Sequence, residues 1–504
     1  MGHSRTKNAI LNTAFSLILQ LTVFAKGLVL LRLIVPAYGS DTNGLIASVL
    51  QFLGYISLIE AGAGAVFRGA LYTPLSRGDT EGAWAMVNAQ KRFYRRIGMI
   101  FAGYVALLCF VYPLVARTEA GRGYILSLIL ILSISTFCEY FVSLPYISLI
   151  AADQKIRITY MVGIVYTLAN IAAAVVCVSM RLDIRLLYGA MCLLGLGKPV
   201  FYALYVRKHY GSGKNIPPDQ SCLEQRRDGM VHHLAYCLHT GTDGALLTVA
   251  AGTALVSVYN VYGAVVFGME KLITSVSAGA AAGLGNLIAS GQKTKLHRTV
   301  DRFELIQGAL TTLLYTVTGL MLMPFVRLYT ADMTDISYIR PAFGYMLIAA
   351  EGIFCFRSIY STVSASANRF RQTRAGAVAE CTVNLGVSLI LLLMLDRPLL
   401  AVAMGTAAGM AARYIWEIWY LSRHLLHRPM KKAFRMLSVS ALGALCSALV
   451  CRALIDYSLI GSTRAWIACG GVTAAVTCAV LTAIYLIFYR QTIRELTAHL
   501  RGRE

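Results

Sequence analysis

The chain has 504 residues, 57% of them hydrophobic and 14% charged, with a formal net charge of +22 and a mean hydropathy of +0.63. A water-soluble domain has no interior large enough for that much apolar surface, whereas a bilayer requires it. The cationic balance therefore points to membrane topology; a nucleic-acid face would need a basic soluble module, and no long polar stretch provides one.

Apolar segments of spanning length follow one another near 9–35, 43–68, 97–116, 124–150, 159–180, 185–206 and 229–250, then near 254–288, 303–328, 340–363, 375–395, 400–422, 435–455 and 464–488. The first, Ala9 to Val35, is too long for the apolar core of a signal peptide and lacks a small-residue cleavage site, so it is expected to stay as a helix. The stretch Gly69–Arg96 carries Trp84 and Phe93 beside Lys91, Arg92, Arg95 and Arg96. It reads either as an amphipathic helix on the inner leaflet or as ordinary loop charge. Arg207 to Arg227, with Pro217-Pro218 inside, reads as a flexible linker. The eighth segment is expected to run past the membrane into a loop. The twelve Cys lie mostly within apolar segments without CxxC spacing and read as small core residues, so no metal site is expected. Counted by side, 30 Lys and Arg fall on the side of the N-terminus and 7 on the other. That bias places both termini in the cytoplasm.

Similar residues recur at a fixed offset. Lys155, Arg157, Thr159 and Asn170 correspond to Arg369, Arg371, Thr373 and Asn384, each 214 later; Gly189 and Arg207 correspond to Gly405 and Arg423, 216 later. An even number of helices per repeat keeps the two copies parallel. The expected fold is thus an all-α polytopic membrane protein with about 14 transmembrane helices. Residues 1–206 form one six-helix lobe, 207–228 a cytoplasmic linker and 229–430 a second lobe, and 431–504 add two helices and a basic tail. Parallel repeats suggest a transporter whose lobes rock around a central cavity.

Ionisable groups deep in spans cost a few kcal/mol, so they face partners or a cavity. Lys26, Glu139, Asp243, Lys271, Glu351, Arg357 and Glu380 lie deepest; Glu60, Lys198 and Glu270 also fall within spans, and Arg68, Arg327, Arg413 and Glu417 sit nearer span ends, where side chains snorkel. Interhelical salt bridges and a substrate or coupling role are both open for the deep set. Lys26, Lys271 and Arg357, with Arg68, suit a cationic cavity for a pyrophosphate or acidic sugar. Asp243, Glu139, His239, Glu351, Glu380 and Asn384 are the candidates for ion coupling or gating. His232, His239 and Asp243 fit one helical face, as a proton relay, a cation site or simple packing residues.

Several runs are familiar as a set. Tyr38-Gly39, Asn43-Gly44-Leu45, Gln51-Phe52-Leu53 and Glu60-Ala61-Gly62 resemble the opening of bacterial polysaccharide transporters, the lipid-linked oligosaccharide flippases. Leu71-Tyr72-Thr73-Pro74-Leu75 fits the loop that follows. Val256 to Tyr262 and Gly283-Leu284-Gly285-Asn286 resemble the family's eighth helix, and Thr373, Glu380, Asn384, Gly405-Thr406 and Arg413-Tyr414 its eleventh and twelfth. The resemblance runs over residues 9 to 430. It implies the multidrug/oligosaccharidyl-lipid/polysaccharide exporter superfamily, located in the bacterial plasma membrane. The implied activity is flipping of an undecaprenyl-pyrophosphate-linked oligosaccharide by alternating access. The protein would then be no enzyme and need no cofactor beyond a coupling Na⁺ or H⁺. Its partners would be the lipid-linked oligosaccharide, membrane lipid, and a polysaccharide polymerase and chain-length regulator, with no nucleic acid. The rivals are a cation-coupled multidrug exporter of the same superfamily and a membrane enzyme that polymerises or ligates lipid-linked sugars.

Overall fold

A computed structural model describes residues 2–60, 63–213, 216–219, 241–367 and 369–500, and the elements among them are helical. Eleven helices among the described residues are long and apolar enough to cross a membrane. The chain is an all-α polytopic membrane protein, and its contacts divide it into two compact units, Met1–Val258 and Tyr259–Glu504.

The first unit holds α1 (Gly2–Tyr38), α2 (Ser40–Gly54), α3 (Ser57–Glu60), α4 (Ala63–Arg77), α5 (Thr80–Val115), α6 (Arg122–Cys138), α7 (Leu144–Ala152), α8 (Arg157–Ser179) and α9 (Ile184–Tyr210). Helical residues 241–250, termed α10, belong to the same unit, as do the first residues of α11 (Thr253–Ala289). Starts are marked by short polar caps: Asp79 accepts from the Gly82 amide at 2.8 Å and Asp183 from the Arg185 amide at 2.7 Å, each satisfying a donor that the first helical turn leaves over.

The second unit holds the rest of α11, then α12 (Lys293–Tyr329), α13 (Pro341–Ser366), α14 (Phe370–Met394), α15 (Pro398–His424), α16 (Lys431–Leu454), α17 (Thr463–Phe488) and the short α18 (Arg490–Leu500). Within it α15 packs closely on α13 and α14, while α16 and α17 pack on α12. A Cβ on Gly409 would stand 2.8 Å from the Glu380 carbonyl oxygen and 2.9 Å from the Asn384 Cβ, so α14 and α15 meet backbone to backbone. Such contact is the usual way membrane helices gain dispersion energy in the absence of a hydrophobic drive.

The offset of 214 reappears in the helix bounds. Adding it to α9 reproduces α15 residue for residue, and α8 falls on α14 to within a residue or two.

Four expectations change. The segment near 43–68 is not one span: α2 ends at Gly54, a turn follows at Tyr55-Ile56, and α3 starts afresh at Ser57. The stretch Gly69–Arg96 is not a separate helix. It is the end of α4 and the first turns of α5, with Trp84 buried. The Trp84 indole donates to the Tyr210 carbonyl at 3.0 Å, and the Lys91 ammonium lies over the Trp84 and Tyr146 rings at 5.0 and 4.8 Å. The linker's first residues are likewise docked: Asn88 donates to the carbonyls of Gly213 and Ile216 at 2.7 and 2.8 Å. The eighth span stays helical through Ala289. His232, His239 and most of the expected seventh span lie outside the described residues.

Candidate functional site

In the first unit two cations share one ring. Lys26 comes from α1, Lys198 from α9 and Tyr166 from α8 between them, with the ammonium groups 5.9 and 4.3 Å from the ring centroid. The two charges act on each other. Among the described residues neither has a carboxylate within ion-pair distance. A tyrosine face offers a cation only about 1–2 kcal/mol, too little to offset two like charges held together at span depth. The arrangement therefore favours an anion.

A second feature is centred on Glu60, which the sequence marked as ionisable within a span without giving it a role. Tyr94 of α5 and Tyr140 donate to its two carboxylate oxygens at 3.0 and 3.3 Å. Tyr140 lies in a five-residue π-helical turn, Glu139–Ser143, joining α6 to α7. One extra residue in that turn aims Tyr140 inward (5% exposed) and leaves its neighbour Glu139 exposed. Such turns frequently accompany functional positions, and helix breaks such as the one between α2 and α3 at Tyr55-Ile56 mark binding regions in transporters. Arg68, exposed on α4, is in electrostatic range of Tyr94.

The third feature is a seam of neutral polar contacts between α2 and residues 241–257. Asp41 accepts from the Thr253 hydroxyl. Asn43 donates to the Ser257 hydroxyl at 2.8 Å. Ser48 shares hydrogen bonds with Thr248 at 2.7 Å and Tyr112 at 2.8 Å. Gln51 and Tyr55 both donate to the Gly241 carbonyl. Asp41, Ser48 and Gln51 of α2 and its cap residue Tyr55 fall on one helical face, with Asn43 at its flank. A Cβ on Gly44 would overlap the Thr253 carbonyl, which fixes how near the helices come. Gly252, at φ 99°, turns the chain so that the Thr253 amide reaches the Arg117 carbonyl at 3.0 Å. Three of the familiar runs thus converge: Asn43 and Gln51 are in the opening runs, and Ser257 is in the eighth-helix run. Asp243, 2% exposed on α10, lies in electrostatic range of Tyr55 beside the seam.

In the second unit the deep charges gather into a cluster. Glu417 accepts from Arg357 Nη1 at 3.4 Å, from Arg413 Nε at 3.1 Å and from the Ser361 hydroxyl at 2.6 Å. Arg413 also pairs with Glu380. Two cations and two anions balance, and the four side chains are 1–11% exposed. Arg357, Glu380 and Glu417 are thus brought together. Asn384, one turn beyond Glu380, accepts from the Ser388 hydroxyl at 3.2 Å. Lys271 is exposed and stands apart from this cluster. Glu351 is buried in electrostatic range of Tyr315 and Cys355. Among the described residues no group of His, Cys, Asp and Glu has the arrangement of a metal site.

No family model matches the sequence, and no curated protein does. Solved structures do match in fold. The lipid II flippase MurJ, in an inward closed conformation, aligns with a TM-score of 0.70 at 12% identity, over 96% of this chain and 100% of its own. An inward-facing MATE multidrug resistance transporter of the MOP superfamily aligns at 0.67 with 14% identity, over 84% and 99%. The eukaryotic MATE transporter AtDTX14 aligns at 0.60 with 10% identity, over 87% and 99%. The chain therefore has the fold of MATE and MurJ membrane transporters.

Proposed function

We propose that this protein is a flippase that carries a polyprenyl-pyrophosphate-linked oligosaccharide across a bacterial plasma membrane by alternating access. The observation that carries this reading is the Lys26–Tyr166–Lys198 arrangement. A pyrophosphate brings the pair of negative charges that the two ammonium groups lack. Lys198, to which the sequence assigned no role, joins Lys26 as a gripping residue, with Arg68 and Lys271 as further exposed cations. Arg357 acts from within its charge-balanced cluster. The sugar passes through the polar interior and the polyprenyl chain stays in lipid. Rocking requires the α2 seam to open and close, and a substrate shifts that equilibrium only by its difference in affinity for the two states. Coupling to Na⁺ or H⁺ is assigned to Asp243, Glu139, Glu351, Glu380 and Asn384, with His239 as the remaining candidate.

The test is binding of farnesyl pyrophosphate to purified protein, with farnesyl monophosphate as the control. Lys26→Gln and Lys198→Gln should each weaken pyrophosphate binding about tenfold, the loss of one charge-assisted contact. Unchanged binding in both variants would overturn the reading. Export of organic cations is the second reading, and the fold match to a MATE multidrug transporter supports it as well as the MurJ match supports the first. Binding of an organic cation with no response to the pyrophosphate would decide for it.

A further inference from the structure

A cavity in the second unit is lined by residues that have no part in the Glu417 cluster. It encloses about 350 Å³ between α12, α16, the end of α17 and the start of α18. Leu305, Met436 and Phe488 give it apolar walls, and Arg298, Lys432 and Arg435 give it cations. Its acidic lining residues are largely answered from inside the protein. Arg428 holds Asp301 at 2.7 Å and spans both oxygens of Glu304; Lys432 holds Asp301 at 2.9 Å. Glu495 accepts from Gln491 at 3.3 Å.

Two guanidinium groups are left without a carboxylate among the described residues. Arg298 is exposed and makes no ion pair there. Arg435 donates to the Phe488 carbonyl at 2.8 Å and lies 5.4 Å from the Tyr489 ring centroid. Tyr489 lines the cavity as well.

Position decides the ligand. Phe488 is the last residue of an apolar spanning helix, and α18 turns off there with Ile493 packed against Leu305 and Met436. Arg490 and Arg494 follow on its other positions, and Arg302 and Lys431 stand close in sequence to the lining cations. An amphipathic helix at the cation-rich end of a span lies at the headgroup level of the inner leaflet. Basic pockets between spanning helices on that side suit anionic headgroups.

We propose that this cavity binds the phosphodiester headgroup of an anionic phospholipid, with Arg298 and Arg435 on the phosphate oxygens. The acyl chains lie along α17. The proposal is independent of what the protein transports.

The test uses the full-length protein in mixed micelles of phosphatidylglycerol and phosphatidylcholine, reading retained lipid by native mass spectrometry and thermal stability in parallel. Phosphatidylglycerol should be retained in preference and should raise the unfolding temperature. Arg298→Gln and Arg435→Gln should each cut the preference about fivefold, the equivalent of one cation at the surface. Both side chains are exposed, so the variants should fold. Glu495→Gln should raise the preference, and Arg122→Gln, exposed at the start of α6 in the other unit, should not change it. No preference in the parent protein, or full preference in the Arg298→Gln, Arg435→Gln double variant, would overturn the proposal. So would equal displacement by millimolar inorganic phosphate, which would make it an ion site.

Discussion

The charge cluster of the second unit gives the most direct test of how this molecule is held together. Glu417 is 2% exposed and faces two guanidinium groups at 3.4 and 3.1 Å. At an effective dielectric near 20, each contact is worth about 5 kcal/mol of attraction before desolvation is counted. Glu417→Gln keeps the size and one hydrogen-bond acceptor but leaves a surplus buried positive charge. Removing one partner of a buried ion pair costs about 3–5 kcal/mol. For a unit of this size, that corresponds to a fall of about 6–20 °C in unfolding temperature. Cys355, fully buried on the same helix as Arg357, provides the assay through a thiol-reactive dye followed during a thermal ramp in detergent. The companion variant Arg357→Met removes the surplus charge at similar volume. Combined with Glu417→Gln, it should recover most of the lost stability. An unfolding temperature within a degree of the parent for Glu417→Gln would refute the reasoning. So would a double variant that falls below the single one, since Arg357 would then be held by something other than Glu417.

Gly44→Ala places a methyl group against the Thr253 carbonyl and should destabilise the first unit by about 2 kcal/mol, seen as earlier thermal unfolding. Gly405→Ala meets the Ser388 hydroxyl in the same way between α14 and α15, and circular dichroism melts should show a loss of similar size. Asp79→Ala removes the α5 cap and should cost about 1 kcal/mol by the same measurement. Glu60→Gln leaves Tyr94 and Tyr140 hydrogen-bonded to a neutral group. Weakening those two hydrogen bonds should lower stability by about 1 kcal/mol, read from circular dichroism melts.

Much of the fold was legible because membrane helices write themselves in hydropathy over twenty residues at a time. The repeat at 214 was visible in Asn170 and Asn384 and returned as matching helix bounds. Local irregularity was less legible. The turn at Tyr55-Ile56 lies in an apolar run without proline, and the π turn at Glu139 inserts a single residue that no periodicity signals. The charges show the same limit. Depth in a span identified Arg357, Glu380 and Lys26 as unusual, but only side-chain packing distinguishes a cation answered by Glu417 from one facing Lys198 across a tyrosine. Trp84 misled for a related reason: an aromatic beside cations looks the same whether it meets lipid or, as here, the carbonyl of Tyr210.

The α2 seam is built from hydroxyls, amides and backbone carbonyls, with Asp41 as its one carboxylate. Each neutral bond nets only about 0.5–1.5 kcal/mol, because water replaces it readily. Parting such surfaces leaves few stranded charges and little memory of the event, so the same join can be broken and remade. The Glu417 cluster has the opposite character and behaves as a rivet. A protein holding both can wear at one place and stay rigid at the other.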